Sequence, residues 1–581
     1  MKRKIYLLSL FLFPICFGSC DDYLRPYDQA NKFDSDVIWS KSYMAEGVLL
    51  EAYRLLPTQY LSGVSAQITK DDFVTDDMVT NQLSDGMITM ATGGWTSRVS
   101  PLVSQEAYSG YYNAIMHLNY FLLNVDRVEW SWEDENKNML YKRKLKGEAY
   151  ALRAYYESVL LRKIGGKDAG GSLLGFPIMT SVASDADAAK KTRNTYKECL
   201  NRIYADCDSA IVYLPSIWTN GNLTVKEQLV MGVQNLNRIN SITARAIKSR
   251  VALTAASSSF VGSNVTWLQA AQLASDVMNN NGGLSGLSAG DEQFYLQIRS
   301  NTNYLAKANP EILWAPMCRN SGTDSYMMTR ESDQFPPSLN GKGIVNPSQN
   351  FVNSFGYKNG TPNPVGTNNT DYTNRDPRLN MYVFYNGSVS ANGNVIDIKN
   401  GADKIDASVT NATRTGYYLK KLLDDQVVIK TGVGSVGKPH FFALFRYTEV
   451  LLNFAEAANE HGGPDVNIGG FTARQVVNAI RNRAGIPTSY VDGLDQSGLR
   501  TLIRNERRIE LCFEGFRFWD LMRWGDLASM NKSVMGYDAL SSSIKDNIET
   551  RSFKDYMIYG PVPYNETQIY KIVQNKGWSD N

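Results

Sequence analysis

The sequence predicts a mainly α-helical protein: a tetratricopeptide-like helical repeat scaffold of about four helix pairs, with a large irregular, loop-rich lobe carrying short strands. Three observations carry that prediction. Apolar residues recur at three- and four-residue steps in eight segments. Gly or Pro follows most of those segments, as expected of helix ends. Two long stretches have no such period and are rich in Gly, Asn, Ser, Thr and Asp.

The elements follow in chain order. Ser42 to Leu56 is a first helix, stopped by Pro57. Gln105 to Val125 places Tyr112, Ile115, Asn119 and Leu122 on one stripe. Lys146 to Lys163 does the same with Ala149, Leu152, Tyr156, Val159 and Leu160, and Gly165-Gly166 ends it. Tyr196 to Leu214 stops at Pro215; Ser241 to Phe260 and Trp267 to Met278 follow, before Gly282-Gly283. Leu444 to Glu460 ends at Gly462-Gly463-Pro464, and Thr472 to Ala484 at Gly485 and Pro487. Taken in pairs these helices span about 42–125, 146–214, 241–280 and 444–484. The fixed period of about 34 residues is missing, because the segments between helices vary greatly in length. The irregular lobe covers about 57–104 and 283–440. In it Leu379 to Phe384, Asn394 to Ile398 and Ile312-Leu313-Trp314 read as short strands. Interleaved Trp, Tyr, Phe and Met, as in Tyr382 to Tyr385, argue for packed order there.

The N-terminus reads as a targeting segment. Met1 to Lys4 is basic, Ile5 to Cys16 is almost wholly apolar, and Phe17-Gly18-Ser19-Cys20 resembles a bacterial lipobox. A lipoprotein signal peptide is therefore expected over 1–19, with Cys20 lipidated and a single domain over 20–581. Asp21 and Asp22 resemble the acidic export signals of surface lipoproteins of Bacteroidetes. No later stretch is apolar enough to read as a membrane helix. The net charge is +2 with no basic stripe, which argues against a nucleic-acid partner. The cysteines at 199, 207, 318 and 512 form no CxxC pair, and His117, His440 and His461 lack metal spacing. Asp71, Asp72, Asp76 and Asp77 are acids enough for calcium but lack its alternating ligand spacing, so they are expected to be solvated loop acids and no cofactor is expected.

The C-terminal quarter, with its signature over 498–526, carries a resemblance. Asn505-Glu506-Arg507-Arg508-Ile509-Glu510-Leu511-Cys512-Phe513-Glu514-Gly515-Phe516-Arg517-Phe518-Trp519-Asp520-Leu521-Met522-Arg523-Trp524-Gly525 closely resembles the signature stretch of the SusD/RagB family. Pro347-Ser348-Gln349, Arg375-Asp376-Pro377-Arg378, Ile480 to Pro487 and Pro561-Val562-Pro563 resemble further landmarks of that family, in its order. The resemblance implies a lipid-anchored protein on the outer face of the outer membrane. It implies capture of an oligosaccharide or polysaccharide, or of a peptide in the RagB branch. It also implies delivery to a SusC-like TonB-dependent transporter, over which the protein closes as a lid.

Two site readings compete. Glu510, Glu514 and Asp520 lie beside Arg507, Arg517 and Arg523, with Trp519 among them. A glycosidase needs two carboxylates flanking a sugar, one of them a proton donor. An arginine neighbour lowers a carboxyl pKa, the wrong direction for an acid catalyst, so these residues read as a structural ion network and the protein as not an enzyme. Sugar recognition instead needs an aromatic face with amides and charges beside it, on loops held by a scaffold. Trp95, in Gly93-Gly94-Trp95-Thr96-Ser97-Arg98, fits that need, with Asp77, Asn81 and Arg98 close in sequence. Trp314 and Tyr326 are the second choice. A surface glycoside hydrolase and a lid without ligand contacts are the alternatives from other classes.

Overall fold

A computed structural model describes residues 35–57, 70–83, 85–180, 192–288, 310–316, 318–319, 326–405, 411–424, 426–432, 434–438, 440–441 and 443–578. The predicted leader and Cys20 lie outside these residues. Eight helices form the scaffold: α1 (Ser42–Arg54), α2 (Gln105–Asn124), α3 (Glu135–Ile164), α4 (Tyr196–Tyr213), α5 (Ser241–Ala256), α6 (Trp267–Asn280), α7 (Tyr447–Gly462) and α8 (Ala473–Arg483). Six of the eight starts are capped by side chains. Ser104, Asp134, Asn240 and Thr266 each accept from the backbone of the first turn, and Thr195–Glu198 and Thr472–Gln475 are capping boxes. α3 starts at Glu135, well before the expected Lys146, because its first turns (Glu-Asn-Lys-Asn) are polar and show no stripe.

Each helix packs on the next, and the first helices of successive pairs, α1, α3, α5 and α7, also touch in sequence. They form one continuous row, the arrangement that repeat stacking produces. One large apolar core runs through all four pairs, and its buried residues include Ala149, Leu152, Tyr156, Ala252, Leu451 and Ala455.

The chain then turns back on this row. α9 (Gln496–Glu510) packs against α7 and α8, and α10 (Arg517–Trp524) follows after a tight turn. Phe513 and Gly515 in that turn have φ of 61° and 78°. The irregular lobe is tied on by strands of two to seven residues: β1 (Met78–Thr80), β2 (Ile312–Trp314), β3 (Val345–Pro347), β4 (Phe445–Arg446), β5 (Val534–Asp538) and β6 (Ser543–Glu549). β1 pairs with β3, β2 with β4 and β5 with β6, all antiparallel. A second, small core of Phe335, Phe384, Ile396, Ile398, Tyr418, Leu423 and Val427 lies within the lobe itself. Two expected strands are corrected. Arg378–Tyr382 is a short helix and only Val383–Phe384 is extended; near Asn394 the structure has a single bridge, Val389 to Val395. Arg378 and Leu379 turn inward there to reach buried partners, and the local apolar pattern does not encode that.

Candidate functional site

The signature forms a buried ion network. Arg378 (1% exposed) donates to Asp376 at 2.7 Å, Glu506 at 2.7 Å and Glu510 at 2.8 Å. Arg481 reaches Glu506 at 2.6 Å, and Arg483 reaches Glu510 at 2.6 Å. Arg446 and Lys421 share Glu514, and Arg507 and Arg523 both clamp Asp520. Burial alone raises a carboxyl pKa, but here the arginines overcome it. Against that burial, Arg483, Arg378 and Arg446 hold Glu510 at about 2. Glu506, Glu514 and Asp520 are likewise held below the usual carboxylate range. These groups are ionised and fully partnered, which suits holding α9 and α10 onto the scaffold.

The four aspartates at 71–77 belong to the same network, which corrects their reading as solvated acids. All four are buried. Asp71 accepts from Trp519 Nε1, and Asp72 accepts from the Gly515 N–H at 3.0 Å. Arg508 donates to Asp77 at 2.7 Å and to Asp76 at 3.0 Å, and Arg517 stands 3.4 Å from Asp76. Asp77 therefore serves the fold, and its carboxylate does not face solvent as a ligand contact would.

Trp95 is corrected too. It is 2% exposed, its Nε1 donates to Ser100 Oγ at 3.0 Å, and the rings of Trp578, Phe518 and Phe553 meet it edge-on at 4.7, 6.0 and 6.3 Å. Gly93 takes a φ of 105°, open to glycine, and the indole that follows lies inward. Trp314 is 1% exposed and donates to the Asn237 carbonyl at 3.1 Å from within β2. Tyr326 opens a helix to Gln334; its side chain lies outside what is described. Asn81 is half-buried and donates to the Lys342 and Gly343 carbonyls at 2.9 and 3.1 Å. Arg98 is exposed, with its guanidinium carbon 3.7 Å above the Tyr564 ring. The structure thus disperses the residues that sequence proximity grouped.

A different aromatic pair occupies the lobe. Tyr372 and Tyr385, both half-buried, stack with centroids 4.1 Å apart and planes at 22°. The pair is held from behind. Tyr372 and Tyr417 bond through their hydroxyls at 3.1 Å, and Tyr417 donates to Gln349 at 2.6 Å. Gln349 donates to Asn353 at 2.7 Å, and Asn353 to Asn368 at 2.8 Å. Tyr385 also donates to Asn380 at 3.2 Å. Rings and amides on anchored loops are the materials of a sugar platform. The Tyr382–Tyr385 cluster was visible in the sequence; its stacking on a residue from the preceding loop was not.

The comparisons with known proteins bear on this architecture. The family model described as the SusD family matches residues 310–578, and one described as "starch-binding associating with outer membrane" matches residues 30–228. Two SusD-like proteins of Formosa agariphila are 32% identical over 140 residues and 35% identical over 124 residues. Those matches cover 24% and 20% of this chain and only 24% and 22% of the relatives' own lengths. A SusD-like protein from Bacteroides fragilis shares the fold with a TM-score of 0.71 at 22% identity, over 93% of this chain and 98% of its own. A second B. fragilis structure, described as a SusD-like carbohydrate-binding protein, gives 0.67 at 20% identity, over 92% and 99%. With SusD-type family models matching residues 30–228 and 310–578, the chain belongs to the SusD/RagB family.

Proposed function

We propose that this protein captures an extracellular glycan at the outer membrane, without covalent chemistry, and passes it to a SusC-like TonB-dependent transporter. The single observation that carries the reading is the Tyr372–Tyr385 stack: a half-buried aromatic surface on the lobe, fixed from behind and bordered by amides. A sugar ring is apolar on its faces and hydroxylated at its rim, and such a surface meets both. The family membership supports the same reading, since the relatives' descriptions name starch and carbohydrate binding. The signature carboxylates give an acid–base mechanism little to work with, being ionised and taken up by arginine.

The test is calorimetric titration of the purified chain with candidate polysaccharides, comparing Tyr385→Ala with the parent. Loss of a central aromatic anchor commonly costs about 2 kcal/mol or more, some thirtyfold in affinity. Trp132→Ala serves as a control, because Trp132 is 81% exposed on the connection between α2 and α3, away from the lobe. Unchanged binding by Tyr385→Ala sinks the platform. Binding of peptides in place of glycans points to the RagB-like alternative. Anchoring is tested separately: Cys20→Ala is expected to abolish fatty-acid labelling, and persistence of the label overturns the anchor.

A further inference from the structure

The first helices of the second and third pairs frame a cleft that no part of the proposed function uses. With the 443–446 segment and the start of α7 they wall a narrow, partly open cleft lined by Tyr155, Val159, Arg162, Arg250, Glu449 and Phe516. A second narrow hollow shares Val159, Arg162 and Arg250. Two guanidinium groups from neighbouring helices therefore face one space.

They differ in what they hold. Arg250 is committed: it donates to Glu449 through two bonds of 2.6 Å and to the Leu444 carbonyl at 3.0 Å. Its guanidinium carbon also lies 3.6 Å over the Phe445 ring. Glu514, the other acid of the wall, is shared by Arg446 and Lys421. Arg162 has no ion pair and no hydrogen bond among the described residues, and its Nε is buried without a partner. It rests 5.1 Å over the Trp519 ring. Burial pushes its pKa down; Asp71 offsets part of that, and Arg250 adds to the push. Asp71 is not at ion-pair distance. Its charge acts first on Lys163, and one of its own oxygens also lacks a partner. Arg162 as a whole is half-buried, and a buried N–H without an acceptor is unfavourable until an oxygen reaches it, which an oxyanion entering from the open side supplies.

We infer that the cleft is a binding site for a small oxyanion, with Arg162 as the fork that receives it and Arg250 as the second positive wall. The shared chemistry is a carboxylate or tetrahedral oxyanion, free in solution or carried on a sugar acid. A planar fork of donors matches such oxygens in pairs, and the flanking Tyr155 and Phe516 suit a short apolar stem.

The test is thermal unfolding of the purified chain in acetate, sulfate or galacturonate against chloride at constant ionic strength, for the parent and for Arg162→Met. The parent is expected to gain a saturable rise in Tm that Arg162→Met lacks, since a ligand that binds only the folded state stabilises by mass action. Saturation at lower galacturonate than acetate assigns the site to a sugar acid; the reverse order assigns it to a free anion. Equal shifts in both proteins, or none in either, overturn the site. Should Arg162→Met fail to fold, parent crystals soaked in selenate decide: an anomalous peak at hydrogen-bond distance from Arg162 supports the site and its absence overturns it. Neither outcome depends on glycan binding at Tyr385, so the two readings fail separately.

Discussion

At the scale of single residues, position in the ion network decides consequence. Arg378 binds three carboxylates with 1% of its surface exposed. Arg378→Met leaves those charges under-compensated in the interior and is expected to cost about 3–5 kcal/mol, read as a lower urea midpoint with unchanged slope. Arg378→Lys is expected to recover little, because one ammonium cannot serve three partners in a planar fork. Trp95→Ala is expected to cost a similar amount by leaving a cavity among Trp578, Phe518 and Phe553, and a normal melt for that variant would contradict its burial. The contrast between Trp95 and Tyr385 shows where sequence reading stops. A tryptophan after two glycines looks like a displayed ring, but the rings that enclose it come from the last 64 positions of the chain, and no local pattern announces them. The Arg-rich signature was legible as structural, because every acid in it has a basic neighbour in sequence. Its union with Asp71–Asp77 was not.

Among the secondary-structure elements, the helices were legible and the ties between them were not. The 3.6-residue stripe and the Gly or Pro stops locate α1 to α8 within a few residues, apart from the polar start of α3. Strands of two or three residues carry no measurable alternation, so β2 pairing with β4 across more than a hundred residues was out of reach. The close crossing of α3 over the end of α4 is a sharper test of the packing. A Cβ at Gly147 would stand 2.7 Å from Leu214 Cγ and 2.8 Å from Tyr213 Cβ. Gly147→Ala gains helix propensity, yet the overpacking is expected to outweigh that gain and destabilise by about 1–3 kcal/mol. A Tm equal to or above the parent's would mean that the crossing is looser than described.

For the whole molecule, buried carboxyls pull stability in opposite directions with pH. Glu510 has its folded pKa depressed to about 2, so the stability it contributes is present above its unfolded value of 4.5 and is lost as pH falls toward 2. Glu157, on α3 and facing Arg202 of α4, has the reverse shift: burial, then the charge of Asp206, push it up to about 8. With the folded pKa raised, its contribution is fully present below 4.5 and drains away as pH climbs to about 8. Glu157→Gln is therefore expected to raise Tm at pH 8 and change it little at pH 4. A uniform shift at both values would show that Glu157 is not protonated in the fold. Acid denaturation, driven by Glu510 and its neighbours, is expected to remain in that variant.

The bond from Arg508 to Asp77 joins residues 431 apart. It has a consequence for the order of assembly. Chains leave the ribosome and cross membranes from the N-terminus, so the aspartates near position 75 emerge long before the arginines that neutralise them. Until the final eighty residues arrive, the helix pairs can stack on local contacts, but the loop after α1 keeps four hydrated acids that cannot enter the interior. Closing so long a loop is the slow, late step of such a topology. The C-terminal signature is in this sense a completion mark: a chain cut short before it keeps its solenoid and never seats its first loop, which leaves truncated products open to proteolysis rather than trapped as near-native copies.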